Sequence, residues 1–169
     1  MLCERILGNV GTDPPGRYAG KVRDVLQVTW RDCARRAIRG RTERGINIGV
    51  LLPLGLHLRH GDVILETHSA VVVTHVIPCE VWVAEFSGAS ALATAALELG
   101  NLHAPVEVID GSQLAALPDG PTRGVLDKHA ATWWPETRRF NPLRSTISSG
   151  GVRVAPNFEL RTQLTNRRE

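Results

Sequence analysis

The strongest constraint on the fold is a change of hydrophobic period near Ser87. Up to that point apolar residues recur at a spacing of two. In VLQVTW, Val25 to Trp30, Leu26, Val28 and Trp30 alternate with Gln27 and Thr29, and RRAIRGRT and INIGVLLP continue the pattern. Successive side chains of a strand point to opposite faces, so this spacing fits half-buried strands. Gly45 in ERG suits a hairpin turn, and RHGD, Arg59 to Asp62, reads as a second turn. AVVVTHVI and VWVAEF bring the count to six or seven short strands, with no helical period among them. A small β-rich unit of barrel or sandwich type is expected.

After Ser87 the spacing becomes helical. Leu92, Ala95, Ala96 and Leu99 make an apolar stripe at i, i+3, i+4 and i+7. Ser87 or Ser90 is expected to cap this helix, and Gly100 to take the left-handed position beyond its end. APVEVID then reads as a strand, and TRGVLDKHAATWW as a second helix stopped by Pro135. With CEVWVAEF as the first strand, this order is the middle of a ferredoxin-like α+β layer. The expected division is residues 1–77 for the β-rich domain, 78–143 for the ferredoxin-like domain, and 144–169 for a Ser-, Gly- and Arg-rich flexible tail.

Composition narrows the function classes. The net charge of +3 is too small to imply nucleic acid. No apolar run approaches the ~20 residues that span a bilayer. MLCERILGNV, with charges at Glu4 and Arg5, lacks the apolar centre of a secretory signal. Cys3, Cys33 and Cys79 are an odd set without a C-x-x-C pair, so neither a disulfide framework nor a thiolate zinc site is indicated. A reducing cytoplasm is the expected location.

The chemistry that remains is in the histidines. His57, His60, His68, His75, His103 and His129 include no i, i+4 pair, and the closest spacing is that of His57 and His60. His103 differs from the rest in position: LELGNLHAPVEV puts it at the corner between a helix and a strand. One imidazole is one ligand, and a nickel or zinc ion takes four or more. A twofold dimer that brought two copies of His103 together would form an open, labile site. There is no phosphate loop and no nucleophile elbow. A hydrolytic pair of Asp62 and His60 rests only on their nearness in sequence. The arginines Arg35, Arg36, Arg39, Arg41 and Arg44 guard an edge strand against aggregation or offer a docking surface for an acidic partner. Arg35, Arg39 and Arg41 are expected on one face.

Taken in order, these motifs resemble the UreE family of urease accessory proteins, which carry nickel to the urease active site. RAIRGRTERGINIGVLLPLGLHLRHGDVIL is similar to the family's strand–turn–strand and LPRG…LRxGD segments. LATAALELGNLHAPVEV is similar to its LGNxHxP corner, and RGVLDKHA and RFNPL to its later helix and Phe-x-Pro segment. The resemblance spans about residues 21 to 143. It implies a peptide-binding type of N-terminal domain, a ferredoxin-like metal-binding domain, and a homodimer formed through the latter. It places the family's metal-binding histidine on His103, from both subunits near the twofold, with Ni²⁺ between them and Zn²⁺ or Cu²⁺ as competitors. His129 is the nearest further candidate ligand. The implied partners are the accessory GTPase UreG and the urease-bound accessory complex, and the implied role is that of a carrier, not an enzyme. A metal-free docking module using the Arg-rich N-terminal domain is the alternative. The chain departs from the family pattern in four places. Leu54 and Leu102 stand where Arg is usual, no His follows in DGSQLAALPDGPTRG, and the tail from 144 to 169 has none.

Overall fold

The computed structural model describes residues 1–143; the expected tail, 144–169, lies outside the described residues. In chain order the elements are β1 (Leu2–Cys3), β2 (Gly8–Asn9), β3 (Val22–Val28), α1 (Trp30–Ala34), β4 (Ala37–Arg41), β5 (Asn47–Leu51), β6 (Asp62–Glu66), β7 (Ala70–Val76), β8 (Cys79–Glu85), α2 (Ala89–Asn101), β9 (Val106–Val108), β10 (Gln113–Ala116), α3 (Gly120–His129) and β11 (Thr132–Arg138). The fold is α+β, mostly sheet with few helices.

The first half forms two sheets, ordered β1-β5-β4 and β2-β6-β7-β3. Leu26 and Val28 from β3, Ile48 and Val50 from β5, and Val72 and Val76 from β7 meet between them, all nearly inaccessible to water. Burial of each such side chain is worth about 1.5–3 kcal/mol. The period-two reading matches the core-facing Leu26 and Val28 of β3, whereas β7 is covered on both faces, with Val71 and Val73 in a second cluster. That reading missed α1, because one short turn of helix carries no amphipathic stripe. Its signal is instead a capping box. Thr29 Oγ1 accepts from the Asp32 N–H at 3.1 Å, and Asp32 Oδ2 accepts from the Thr29 N–H at 2.9 Å.

Asp24 fastens the β4–β5 turn onto β3. Its Oδ1 accepts from the N–H of Arg44 at 3.0 Å and of Val25 at 2.8 Å, while the Glu43 N–H bonds the Val25 carbonyl at 2.9 Å. Burial pushes the Asp24 carboxyl pKa up. Hydrogen bonds from Thr42 and from the backbone of Arg44 and Val25 outweigh this and hold it below the usual value. Gly45 takes the turn with φ +89°, as its place in ERG suggested.

In the second half β8, β9, β10 and β11 make one antiparallel sheet ordered β11-β8-β10-β9. Its Ala84, Leu114 and Ala116 face Ala95 and Leu99 of α2 and Val125 and Leu126 of α3. Two expectations fail here. The second helix ends at His129, and the TWW run belongs to β11, with Pro135 inside that strand. Pro is tolerated there because β11 is an edge strand. β10 was not anticipated, since QLAA is too short to show a period.

The opposite face of this sheet is covered from elsewhere in the chain. Beyond β11 the backbone crosses beneath the sheet, burying Phe140 against Val81, Val83 and Ala115. It reaches the far edge, where the Leu143 N–H donates to the Val106 carbonyl at 2.7 Å. Trp30 of α1 meets Phe140 edge to face, with ring centroids 5.4 Å apart, and so ties the first half to the second. Phe140→Ala is expected to lower the unfolding free energy by about 3–5 kcal/mol. Urea denaturation followed by tryptophan fluorescence measures it, and a loss under about 1 kcal/mol would remove Phe140 from this role.

Candidate metal centre

Helix α2 runs one residue past Gly100. The residue in left-handed conformation is not Gly100 but His103, with φ +56°, the one non-glycine positive φ among the described residues. The hydrogen bonds define the corner. The His103 N–H donates to the Gly100 carbonyl at 2.9 Å, and the Ala104 N–H reaches back to the Leu99 carbonyl at 3.0 Å. This is a Schellman ending, in which two otherwise orphaned carbonyls of the last turn are satisfied. Leu99 and Ala104, the residues joined by the longer bond, also pack in the same apolar cluster. Pro105 and β9 follow. At the other end neither Ser87 nor Ser90 caps the helix: Gly88 holds the N-cap position without a side-chain bond.

A left-handed backbone costs a residue with a Cβ about 1–2 kcal/mol, and glycine nearly nothing. The chain therefore carries an imidazole where glycine is the cheaper choice. His103 is exposed, as are Asn101 and Leu102 beside it. Exposed Ser90, Ala93, Thr94 and Leu97 extend this surface along α2 without a charge. Leu97, with 66% of its surface accessible, and Leu102, with 49%, are its prominent apolar members.

The charged group of α2 points elsewhere. Glu98 Oε1 accepts from Lys128 Nζ at 2.8 Å and lies 2.9 Å from His129 Nε2. Hydrogen bonds from Lys128 and then from His129 hold the Glu98 carboxyl below its usual pKa. His129 is thus placed as a cross-link between α3 and α2. To serve as a ligand through Nε2 it must leave Glu98.

The other histidines lie in the first half, away from this corner in the fold. His60 and His75 touch edge to face with centroids 5.0 Å apart. The supposed hydrolytic Asp62 is buried, and both its oxygens are occupied. Oδ1 accepts from Asn9 Nδ2 at 2.8 Å and Oδ2 from the Arg59 N–H at 2.6 Å. It locks the turn in which Gly61 has φ +84°. Arg39 and Arg41 share the exposed face of β4, but Arg35 ends α1 and Arg36 precedes the strand, donating from Nε to the Leu52 carbonyl at 2.9 Å. Among the described residues no three His, Cys, Asp or Glu side chains are grouped to hold one ion. A single chain offers one accessible imidazole at the corner.

A β-rich first half is thus joined to an α+β unit that presents one exposed, conformationally costly histidine. Comparison with known proteins gives the class of protein. The family model for the N-terminal domain of the UreE urease accessory protein matches residues 3–76. The urease accessory protein UreE of an Arthrobacter species is 31% identical over 121 residues, covering 69% of this chain and 75% of its own length. That of Actinobacillus pleuropneumoniae is 29% identical over 154 residues, covering 88% and 81%. The one from Lysinibacillus sphaericus is 24% identical over 140 residues, covering 83% and 93%. The chain belongs to the UreE family of urease accessory proteins, and is an accessory protein rather than an enzyme.

The backbone at position 103 gives a direct test. His103→Gly is expected to raise stability by up to about 1 kcal/mol, whereas His103→Ala, which keeps the strained Cβ, leaves it within about 0.5 kcal/mol. Thermal unfolding of both variants decides. Destabilisation by glycine would mean that the left-handed corner is not a cost to the fold.

Proposed function

We propose that this protein carries Ni²⁺ for assembly of the urease metallocentre, binding it between the His103 side chains of two chains. The observation that carries this reading is the imidazole held exposed at a left-handed corner where glycine would be less strained. Strain of this kind persists where a side chain is needed. An imidazole that projects into solvent binds through water-accessible coordination positions, and an ion held that way can pass to another protein by ligand exchange.

A homodimer belongs to this reading, since one chain presents one imidazole at the corner and a second chain would add another. The uncharged face of α2, with Leu97 and Leu102 beside His103, supports pairing at this surface. Domains of 1–77 and 78–143 are supported by separate sheets and separate apolar clusters in the two halves. The order β8-α2-β9-β10-α3-β11 with strands arranged β11-β8-β10-β9 supports a ferredoxin-like reading of the second. The first would be the peptide-binding type of domain. UreG and the urease-bound accessory complex are the proposed partners, and the cytoplasm the proposed location. Zn²⁺ and Cu²⁺ bind imidazole as well, and Cu²⁺ is expected to bind more tightly than Ni²⁺.

Calorimetry with Ni²⁺ tests the site. Wild type is expected to take about one ion per pair of chains, with binding lost in His103→Ala and kept in His129→Ala. Unchanged binding in His103→Ala would sink the assignment. The imidazoles must be neutral to coordinate, so protons compete below the reference value of about 6.5, and affinity is expected to be weaker at about pH 5.5 than at about pH 7.5. A charge in the paired face provides a separate check. Leu97→Glu is expected to shift the protein toward monomer in analytical ultracentrifugation and to halve the ligands available to each ion. A dimer as tight as wild type would place the interface elsewhere.

A further inference from the structure

A second feature, independent of the metal corner, lies where the two halves meet. A cavity of about 210 Å³ is lined by Arg59 and His60 from the turn before β6 and by Arg139 and Asn141 from the segment after β11, with Cys33, Val76 and Phe140 behind them. Its hydrogen-bonding groups do not balance. Arg139 Nη1 lies 2.7 Å from His60 Nε2, so the guanidinium donates to an imidazole and not to a carboxylate. The other ring nitrogen, Nδ1, faces the Val76 N–H at 3.4 Å. A neutral imidazole has one lone pair, and two donors compete for it.

The neighbouring charges do nothing to correct this. From β7, the His75 ring meets the His60 ring edge to face. From the turn, Arg59 has no ion pair among the described residues, and Asp62 has committed its oxygens to Asn9 and to the Arg59 N–H. From the C-terminal segment, Arg139 has no ion pair among the described residues either. Among the described residues no Asp or Glu lines the cavity. Two arginines, an asparagine and a histidine thus line this space, and its described lining carries no carboxylate. Burial, the Arg139 charge and His75 together hold the His60 pKa below its usual value.

We propose that this cavity binds a small oxyanion, sulfate- or phosphate-sized or a single carboxylate, held by Arg139 and Arg59 with Asn141 beside them. Guanidinium groups match such oxygens with paired, charge-assisted hydrogen bonds. The volume is below the 300–1,000 Å³ typical of drug-sized ligands, which restricts the occupant to an ion or to one acidic group. The anion supplies the acceptors that Arg139 and Arg59 lack. It also gives protonated His60 a partner: with Nε2–H formed, the ring can donate to the anion but can only repel bare Arg139. Binding therefore tightens on acidification. Because the ligand touches both halves, it braces the joint made by Trp30 and Phe140.

Sulfate is the suitable probe, since its charge does not change between about pH 5.5 and about pH 7.5. The full chain is titrated with sodium sulfate, against sodium chloride at equal ionic strength, by two-dimensional NMR. Saturable shifts at residues around His60 and Arg139 are expected. Affinity should fall at least about tenfold in Arg139→Gln, the loss of one charge-assisted contact. His60→Gln should bind sulfate no more tightly at about pH 5.5 than at about pH 7.5, losing the tightening of wild type. Shifts no different from those in chloride, or an Arg139→Gln protein that binds like wild type, overturn the proposal. Should Arg139→Gln fail to fold, Arg59→Gln decides, and unchanged sulfate affinity there overturns it. Acetate saturating the same residues in place of sulfate upholds the oxyanion site and identifies a carboxylate as its ligand.

Discussion

The architecture depends on how one sheet gets its second face covered. The four-stranded sheet of the C-terminal half has apolar side chains on both sides, and its two helices cover only one. Val81 and Val83 on the other side would stand in water if the sheet were isolated. Trp30 comes from the first half and Phe140 from the chain's return beneath the sheet, and the two rings meet over those valines. Burial of aromatic surface at this joint is non-directional, but the edge-to-face contact fixes a geometry. The relation between the halves thus follows from a need internal to one of them.

On the helical side the same sheet sets the place of His103. Leu99 must stay in the core and Ala104 must begin the descent to β9, so the turn between them is confined to Gly100 through His103. The Schellman pattern then requires one left-handed residue, and that residue is His103. Its backbone is determined from both sides, and its side chain is exposed.

Much of this was legible in the sequence, and the failures have identifiable causes. Period-two runs gave β3 and β5, where one face is buried, whereas β7 was read from a continuous apolar run because both of its faces are covered. The stripe from Leu92 to Leu99 gave α2 because one of its faces is buried. The end of α2 was misread because Gly100 satisfies the general preference for glycine beyond a helix, whereas packing of Leu99 and Ala104 moved the left-handed residue three positions on. The TWW run was misread as helix because Pro135 looks like a stop, and only the edge position of β11 makes it acceptable in a strand. The prominence of His103 could be read, but its strain could not. Glu98, which occupies His129, and Arg139, which meets His60, were invisible because their partners lie far away along the chain.

The edges of the C-terminal sheet have a consequence for assembly. At one end β11 carries Pro135, which has no N–H to offer, with Glu136 and Arg138 following. At the other, β9 is three residues long, and its Val106 carbonyl is already taken by Leu143. Neither margin is a template for another strand, so copies of this unit are discouraged from joining into a continuous ribbon. Closing these margins protects the protein from open-ended polymerisation through its sheet edges.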